Sequence, residues 1–362
     1  MPTTRKLLAL TITASVVLAA CSAAATPTPQ PTAPPSTGPG GPTATTDGTL
    51  PEPELKSFKL GTPIGEVSQF NGILADMLGI YDKYGIDVEV TRFNAGGDAS
   101  QALIAGATDG AAGSGSVIML TSQLTGDDQV VAVSVFKSKV FDGIFCGADI
   151  KTAEQMKGAK MAISTLGTTA HASVNLALEA LGMAQKDVNI IQVGGQSVRL
   201  AAIKSGSVDC APVSIDLRAE MERLGFNLII DLSQSDLGYP STGLAVMRPF
   251  LEQYPNTVQV MAAAQLEAQN LMVQNPDLAA EKWAEFAQVD LAKAKEQVLA
   301  AGPQLRLSMT CTLQGFQFSQ KTLAIIQPSV MMADASKACD PRILQELMDI
   351  GFYDKVGAPK TP

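Results

Sequence analysis

The 362-residue sequence predicts an α/β protein of two similar lobes, each a mostly parallel sheet flanked by helices, with extra helices at the C-terminus. Three observations predict it. Strand-like and helix-like stretches alternate from residue 57 onward, the order that yields a parallel sheet covered by helices. A 13-residue segment recurs 100 residues further on with the same elements around it. From Pro249 the pattern is helical almost throughout, with Ala-rich stretches near 258–274, 277–287, 290–300 and 317–333.

The front of the chain precedes this body. Arg5 and Lys6 are followed by an apolar run from Leu7 to Leu18, shorter than the ~20 residues a spanning helix needs, so it reads as an export signal. Small residues then lead into Cys21. Residues 1–20 therefore read as a bacterial lipoprotein signal with Cys21 lipidated; a plain secretory signal cut near Ala23-Ala24-Ala25 is the alternative. Ten of the 21 prolines lie in the first 53 residues, so residues 21–56 read as a Pro/Thr-rich disordered tether with nothing to bury.

Phe58 to Gly61 starts the first strand. Phe70, Ile73, Leu74, Met77, Leu78 and Tyr81 then form one stripe at three- and four-residue spacing, a helix that Gly85 stops. Residues 86–90 alternate as a strand. The turn Ala95-Gly96-Gly97 opens a short helix, followed by a strand near 109–112 and β-rich runs at 130–135 and 140–146. The second lobe reads as strand 160–163, loop 164–169, helix 170–181, strand 187–193, helix 196–205, strand 208–213, helix 215–224 and strand 227–230. Strand 243–247 returns to the first lobe. The expected division is 57–142 plus 236–362 for lobe 1 and 143–235 for lobe 2, with crossings near 142–150 and 231–242.

The repeat pairs residues 102–114 with 202–214. Ala102, Gly106, Asp109, Ala111 and Ser114 are matched by Ala202, Gly206, Asp209, Ala211 and Ser214. Upstream, residues 87–90 match 187–190, and each is followed by a Gly-Gly turn. This describes a helix ending at glycine, an Asp turn, and a strand emerging into a serine-bearing loop. Two similar α/β lobes account for it.

Composition excludes several function classes. The net charge of −9 rests on 35 acids against 26 bases, and losing Arg5 and Lys6 with the signal makes it more negative. A protein that binds nucleic acid by neutralising phosphates is excluded on that balance. One histidine, His171, cannot build a multi-His metal site, and no Cys/His ligand cluster occurs, so no metal and no cofactor are expected. Beyond Cys21, the four cysteines Cys146, Cys210, Cys311 and Cys339 allow three pairings. Pairing within each region, Cys146 with Cys210 and Cys311 with Cys339, stands beside reduced buried thiols.

The segments Tyr84-Gly85-Ile86-Asp87-Val88, residues 102–109, Met156 to Ile163, Val193-Gly194-Gly195, residues 201–209 and Tyr239-Pro240-Ser241-Thr242-Gly243 carry a family resemblance in their order and spacing. Together the chain resembles the solute-binding lipoproteins of ABC importers with the type II periplasmic binding fold. More narrowly, it is similar to the group that binds aliphatic sulfonates, taurine, nitrate or thiamine-pyrimidine precursors. The resemblance implies a non-enzymatic, monomeric binding protein, anchored outside the cytoplasm through lipid on Cys21. Its partners would be a small ligand and a permease with a cytoplasmic ATPase. It extends to fungal pyrimidine-precursor synthases, which need a cysteine-rich stretch that this chain lacks. A lipoprotein that presents ligand to a sensor is a further reading.

In two-lobed α/β proteins ligands bind in the cleft, outside the carboxyl ends of strands. Four loops fit. Gly65, Glu66 and Val67 follow strand one; Ser114, Gly115 and Ser116 follow the strand near 109–112. Thr165, Gly167, Thr168 and Thr169 precede a helix whose first turn carries His171, itself a candidate contact, and Ser214 and Asp216 belong to the loop that echoes the second. Loops two and three open helices, whose N–H groups and dipole favour an anionic headgroup such as a sulfonate, although the same hydroxyls can serve as ordinary caps. Glu66 and Asp216 instead suit a ligand with donors, such as a pyrimidine. Arg199 is a candidate anion partner or an exposed helix residue, and Phe70, Phe93, Phe141 and Tyr239 are candidate cleft aromatics.

Overall fold

The structure, a computed structural model, describes residues 47–63, 66–126, 129–166, 168–234, 238–306, 308–325 and 327–360. Cys21, the signal and most of the tether lie outside the described residues. Residues 47–56, expected to continue the tether, are instead docked. The Glu54 carboxylate accepts hydrogen bonds from the N–H groups of Asn256 (2.9 Å) and Thr257 (2.7 Å), and the Gly48 N–H donates to the Ile350 carbonyl (2.7 Å).

The first half contains β1 (Ser57–Pro63), α1 (Asn71–Met77), α2 (Ile80–Lys83), β2 (Asp87–Phe93), α3 (Gly96–Ile104), β3 (Gly110–Ser114), α4 (Ser116–Thr121) and β4 (Val130–Lys139). The second contains β5 (Asp142–Cys146), β6 (Lys160–Ile163), α5 (Thr169–Ala180), β7 (Asn189–Gln192), α6 (Gln196–Lys204), β8 (Cys210–Ser214), α7 (Arg218–Arg223) and β9 (Asn227–Asp231). Then β10 (Gly238–Met247) returns to the first sheet. The helices α8 (Arg248–Gln253), α9 (Pro255–Gln274), α10 (Pro276–Ala287), α11 (Leu291–Leu305), α12 (Leu313–Ala324), α13 (Arg342–Asp349) and α14 (Phe352–Val356) complete the chain. The single helix expected over 70–81 is two, because Gly79 turns left-handed (φ 64°) between α1 and α2. The stretch expected to be helical to 333 leaves the α-helix at Ala324, and Pro328 opens only a short helical turn.

Two five-stranded sheets form, in the orders β2-β1-β3-β10-β4 and β7-β6-β8-β5-β9. Each is mixed. Three strands run parallel in each sheet (β2, β1, β3 and β7, β6, β8), while β10 runs antiparallel to β3 and β4, and β5 runs antiparallel to β8 and β9. The antiparallel share lies in β5 and β10, the two strands that follow the crossovers between the halves. The first crossover occupies residues 140–141 and the second lies between the end of β9 and the start of β10, each shorter than expected.

The repeat is exact in structure. α3 and α6, and likewise β3 and β8, begin and end 100 residues apart. Gly106 and Gly206 both turn left-handed, at φ 71° and 72°. Asp109 accepts the Lys59 N–H (2.8 Å), and Asp209 accepts the Lys160 N–H (2.7 Å). Each aspartate thus pins its own turn to the neighbouring parallel strand, β1 in one half and β6 in the other.

One large core lies on the first sheet, formed with α1 and α9 to α11; Phe70 packs there against Trp283 and Phe286. The second sheet has separate apolar clusters on its two faces. Cys146 and Cys210 are disulfide-bonded across the β5–β8 pair, as are Cys311 and Cys339. The latter two flank the outer edge of β4, where Ala132 pairs with Cys339 and Val135 with Thr310. That edge is therefore covered rather than open to another chain.

Candidate functional site

A cavity of about 300 Å³ lies between the halves, at the carboxyl ends of the parallel strands. Helices α3, α4, α5 and α6 all begin at it, with Ala95, Gly115, Thr168 and Gly195 as their N-caps, and none of these caps makes a side-chain hydrogen bond to its own helix. Their first N–H groups have no intrahelical acceptor, and the positive ends of the dipoles converge on one volume. Glycine at 115 is required by close approach. A Cβ there would stand 2.4 Å from the Ser241 carbonyl oxygen.

Charged groups sit in the wall. Glu66 accepts a hydrogen bond from Lys137 Nζ at 2.6 Å, and from Ser68 Oγ at 3.1 Å. Burial raises the Glu66 carboxyl, but the Lys137 ammonium overrides it and holds the group below the ordinary carboxylate range. Burial likewise opposes the charge on Lys137, and the carboxylates of Glu66, Asp142 and Asp216 more than offset it. Asp142, the first residue of β5, accepts from Ser173 Oγ at 2.5 Å, and burial raises its carboxyl. Arg199 is 5% exposed, not a surface residue. Its Nε donates to the Pro212 carbonyl and its Nη1 to the Gly194 carbonyl, both at 3.2 Å, which fixes the guanidinium plane in the wall.

Of the residues expected in the site, Glu66, Gly115, Thr165, Thr168 and Thr169 line the cavity. Gly65 and Gly167 lie outside the described residues. Several expected residues do not line it. Ser114 is set back because Ser100, on α3, stands in front of it, hydroxyl to hydroxyl at 2.8 Å. Ser214 is set back in the same way, its N–H donating to Oε1 of Gln196 on α6 at 3.1 Å. Val67 packs in the core, Ser116 is buried beneath the lining, and Asp216 is buried behind it among Glu66, Lys137 and Asp142.

His171 is also away from the cavity. It lies two residues beyond Thr169 on α5, about 200° around the helix, and its Nε2 is 2.8 Å from the Gln185 amide nitrogen. Among the described lining residues none is aromatic, so Phe70, Phe93, Phe141 and Tyr239 do not line this cavity. Lys137, Asp142, Ser100, Gln196 and Ser241 line it without having been expected. Gln196 carried a sequence signal as the first residue after a Gly-Gly turn, and Ser241 lies in the Tyr239 to Gly243 segment that carries the family resemblance.

The arrangement suits a small solute met by hydroxyls, backbone N–H groups and a fixed guanidinium. Comparison with known proteins gives the same fold. The nitrate-binding protein NrtA of Synechocystis superposes with a TM-score of 0.68 at 17% identity, over 86% of this chain and 93% of that one. The desulfurization enzyme DszB superposes with a TM-score of 0.59 at 17% identity, over 80% and 99%, so the fold by itself does not separate binder from enzyme. In sequence, a Brucella abortus (strain 2308) protein named only as a binding protein is 26% identical over 229 residues, 62% of this chain and 69% of that one. The taurine-binding periplasmic protein of Escherichia coli K12 is 27% identical over 199 residues, 54% and 60% of the two chains. The fold is that of the periplasmic binding proteins, and with residues 51–288 matching its pattern, the chain belongs to the NMT1-like family.

Proposed function

We propose that this protein is an extracytoplasmic solute-binding protein of an ABC importer. It closes around a small organic anion, sulfonate-like in chemistry, and delivers it to a permease. The observation that carries this reading is Arg199, a buried guanidinium held by two backbone carbonyls in the wall of a small cavity at which helix N-termini also converge. Lys137 is already paired with Glu66, so Arg199 and the helix termini are the groups left to meet an anion. Likeness to a taurine-binding protein supports the same class. The chain's folded body would be tied to the membrane through lipid on Cys21, which metabolic labelling with a palmitate analogue checks, the label being lost in Cys21→Ser.

A pyrimidine or other heteroaromatic precursor is the second reading, favoured by the carboxylates of Glu66 and Asp142 at the cavity. The absence of aromatic side chains among the described lining residues weighs against it. A thermal-shift screen with taurine, alkanesulfonates, nitrate and aminopyrimidines separates the two. Stabilisation by sulfonates alone is expected, and stabilisation by pyrimidines alone would reject the anion. In Arg199→Met, sulfonate affinity should fall at least about thirtyfold, the cost of removing one partner of a buried charge pair.

A further inference from the structure

The turn after β2 and the turn after β7 meet across the cleft. β2 and β7 are the outer strands of their sheets, on the side away from β4, β10, β5 and β9, which carry the crossovers. Contact there is made only if the halves come together. At that point a Cβ on Gly195 would lie 2.0 Å from the Asn94 carbonyl oxygen and 3.1 Å from its carbonyl carbon. No real side chain fits in that space, and the obstacle is backbone, which no rotamer change removes.

Gly195 is not a glycine for local reasons. Its backbone, at φ −60° and ψ 175°, is open to every L-residue. The preceding Gly194, at φ 115°, is the one whose conformation demands glycine. What excludes a side chain at 195 is therefore the other half of the molecule. The same turns place the first residues of α3 and α6 at one end of the cavity, so separating them would also pull those N–H groups apart.

We propose that the Asn94–Gly195 seam completes closure on the side opposite the crossovers, and that Gly195 is a positioning residue for ligand capture. The seam fixes how close the two walls come and so bounds the ligand at that end of the cavity. This rests on the reading that the halves close around a solute. One methyl group at 195 wedges the seam while leaving each half able to fold.

The test needs no ligand. In the full chain with Cys21→Ser, Ala95→Cys and Val198→Cys place one thiol on each side of the seam. The Ala95 nitrogen is 3.8 Å from the Gly195 Cβ position, and Val198 is an exposed neighbour of Gly194. A short bis-maleimide should join the two thiols. Adding Gly195→Ala should slow that cross-link about tenfold, an overpacking penalty of ordinary size, while circular dichroism shows an unchanged melting temperature. Equal rates with and without Gly195→Ala would overturn the seam. A failed sulfonate screen would bear on the ligand class and leave this result standing.

Discussion

Arg199 and Asp216 are both almost completely buried beside the same cavity, and burial acts on them in opposite senses. The Arg199 guanidinium is lowered by burial, yet two carbonyls hold it in place. The Asp216 carboxyl is pushed up to about 6, first by burial and then by the neighbouring Glu66 charge. Folded Asp216 therefore holds its proton more tightly than the unfolded chain does, and stability falls as pH rises from about 4 through 6. Asp216→Asn removes that penalty. It should melt a few degrees above the wild type at pH 8, with the gain shrinking toward pH 4.5. A gain that is the same at both pH values would rule out the titration as its cause.

At the scale of elements, the repeated aspartates act as pins. Asp109 and Asp209 each accept an N–H from the neighbouring parallel strand, Lys59 in β1 and Lys160 in β6, and each follows a left-handed glycine that ends a helix. Asp109→Ala and Asp209→Ala should each lower the unfolding free energy by about 1 kcal/mol, the net worth of one such hydrogen bond. Urea unfolding followed by circular dichroism measures this, and the two losses should be alike. A neutral outcome at one site would mean that the two halves use the repeated aspartate differently. The helix–glycine–aspartate–strand order was legible because its causes are local: a helix stop, a turn residue and an apolar strand follow one another along the chain. The ends of α1 and α12 were less so, since an apolar stripe passes through Gly79 and Ile325 without showing where the backbone breaks.

For the whole molecule, ion pairs also join the halves on the outside. Glu220 and Arg223 on α7 pair with Lys293 (2.9 Å) and Glu296 (3.1 Å) on α11. These side chains are partly exposed, so screening and side-chain entropy leave each pair worth less than about 1 kcal/mol. A double-mutant cycle on Lys293→Ala and Glu220→Ala should give a coupling within that limit. A much larger value would mean the halves are locked together without a solute, which would contradict capture by closure.

The sequence by itself determined the two-lobed α/β architecture, the 100-residue repeat and the loops that reach the cleft, because periodicity, turn residues and repetition are written in neighbouring positions. It also placed Glu66, Thr165, Thr168 and Thr169 at the cavity. Which side chains stand in front was decided only by the tertiary structure. Ser100 and Gln196 screen Ser114 and Ser214, His171 turns away on its helix, and Lys137 and Asp142 arrive at the cavity from strands on either side of a crossover. The physical reason is that facing a cavity is a property of two packed halves. Spacing along one chain names the loops that end at the cleft, but burial, screening and the approach of the other half choose the groups that face the cavity.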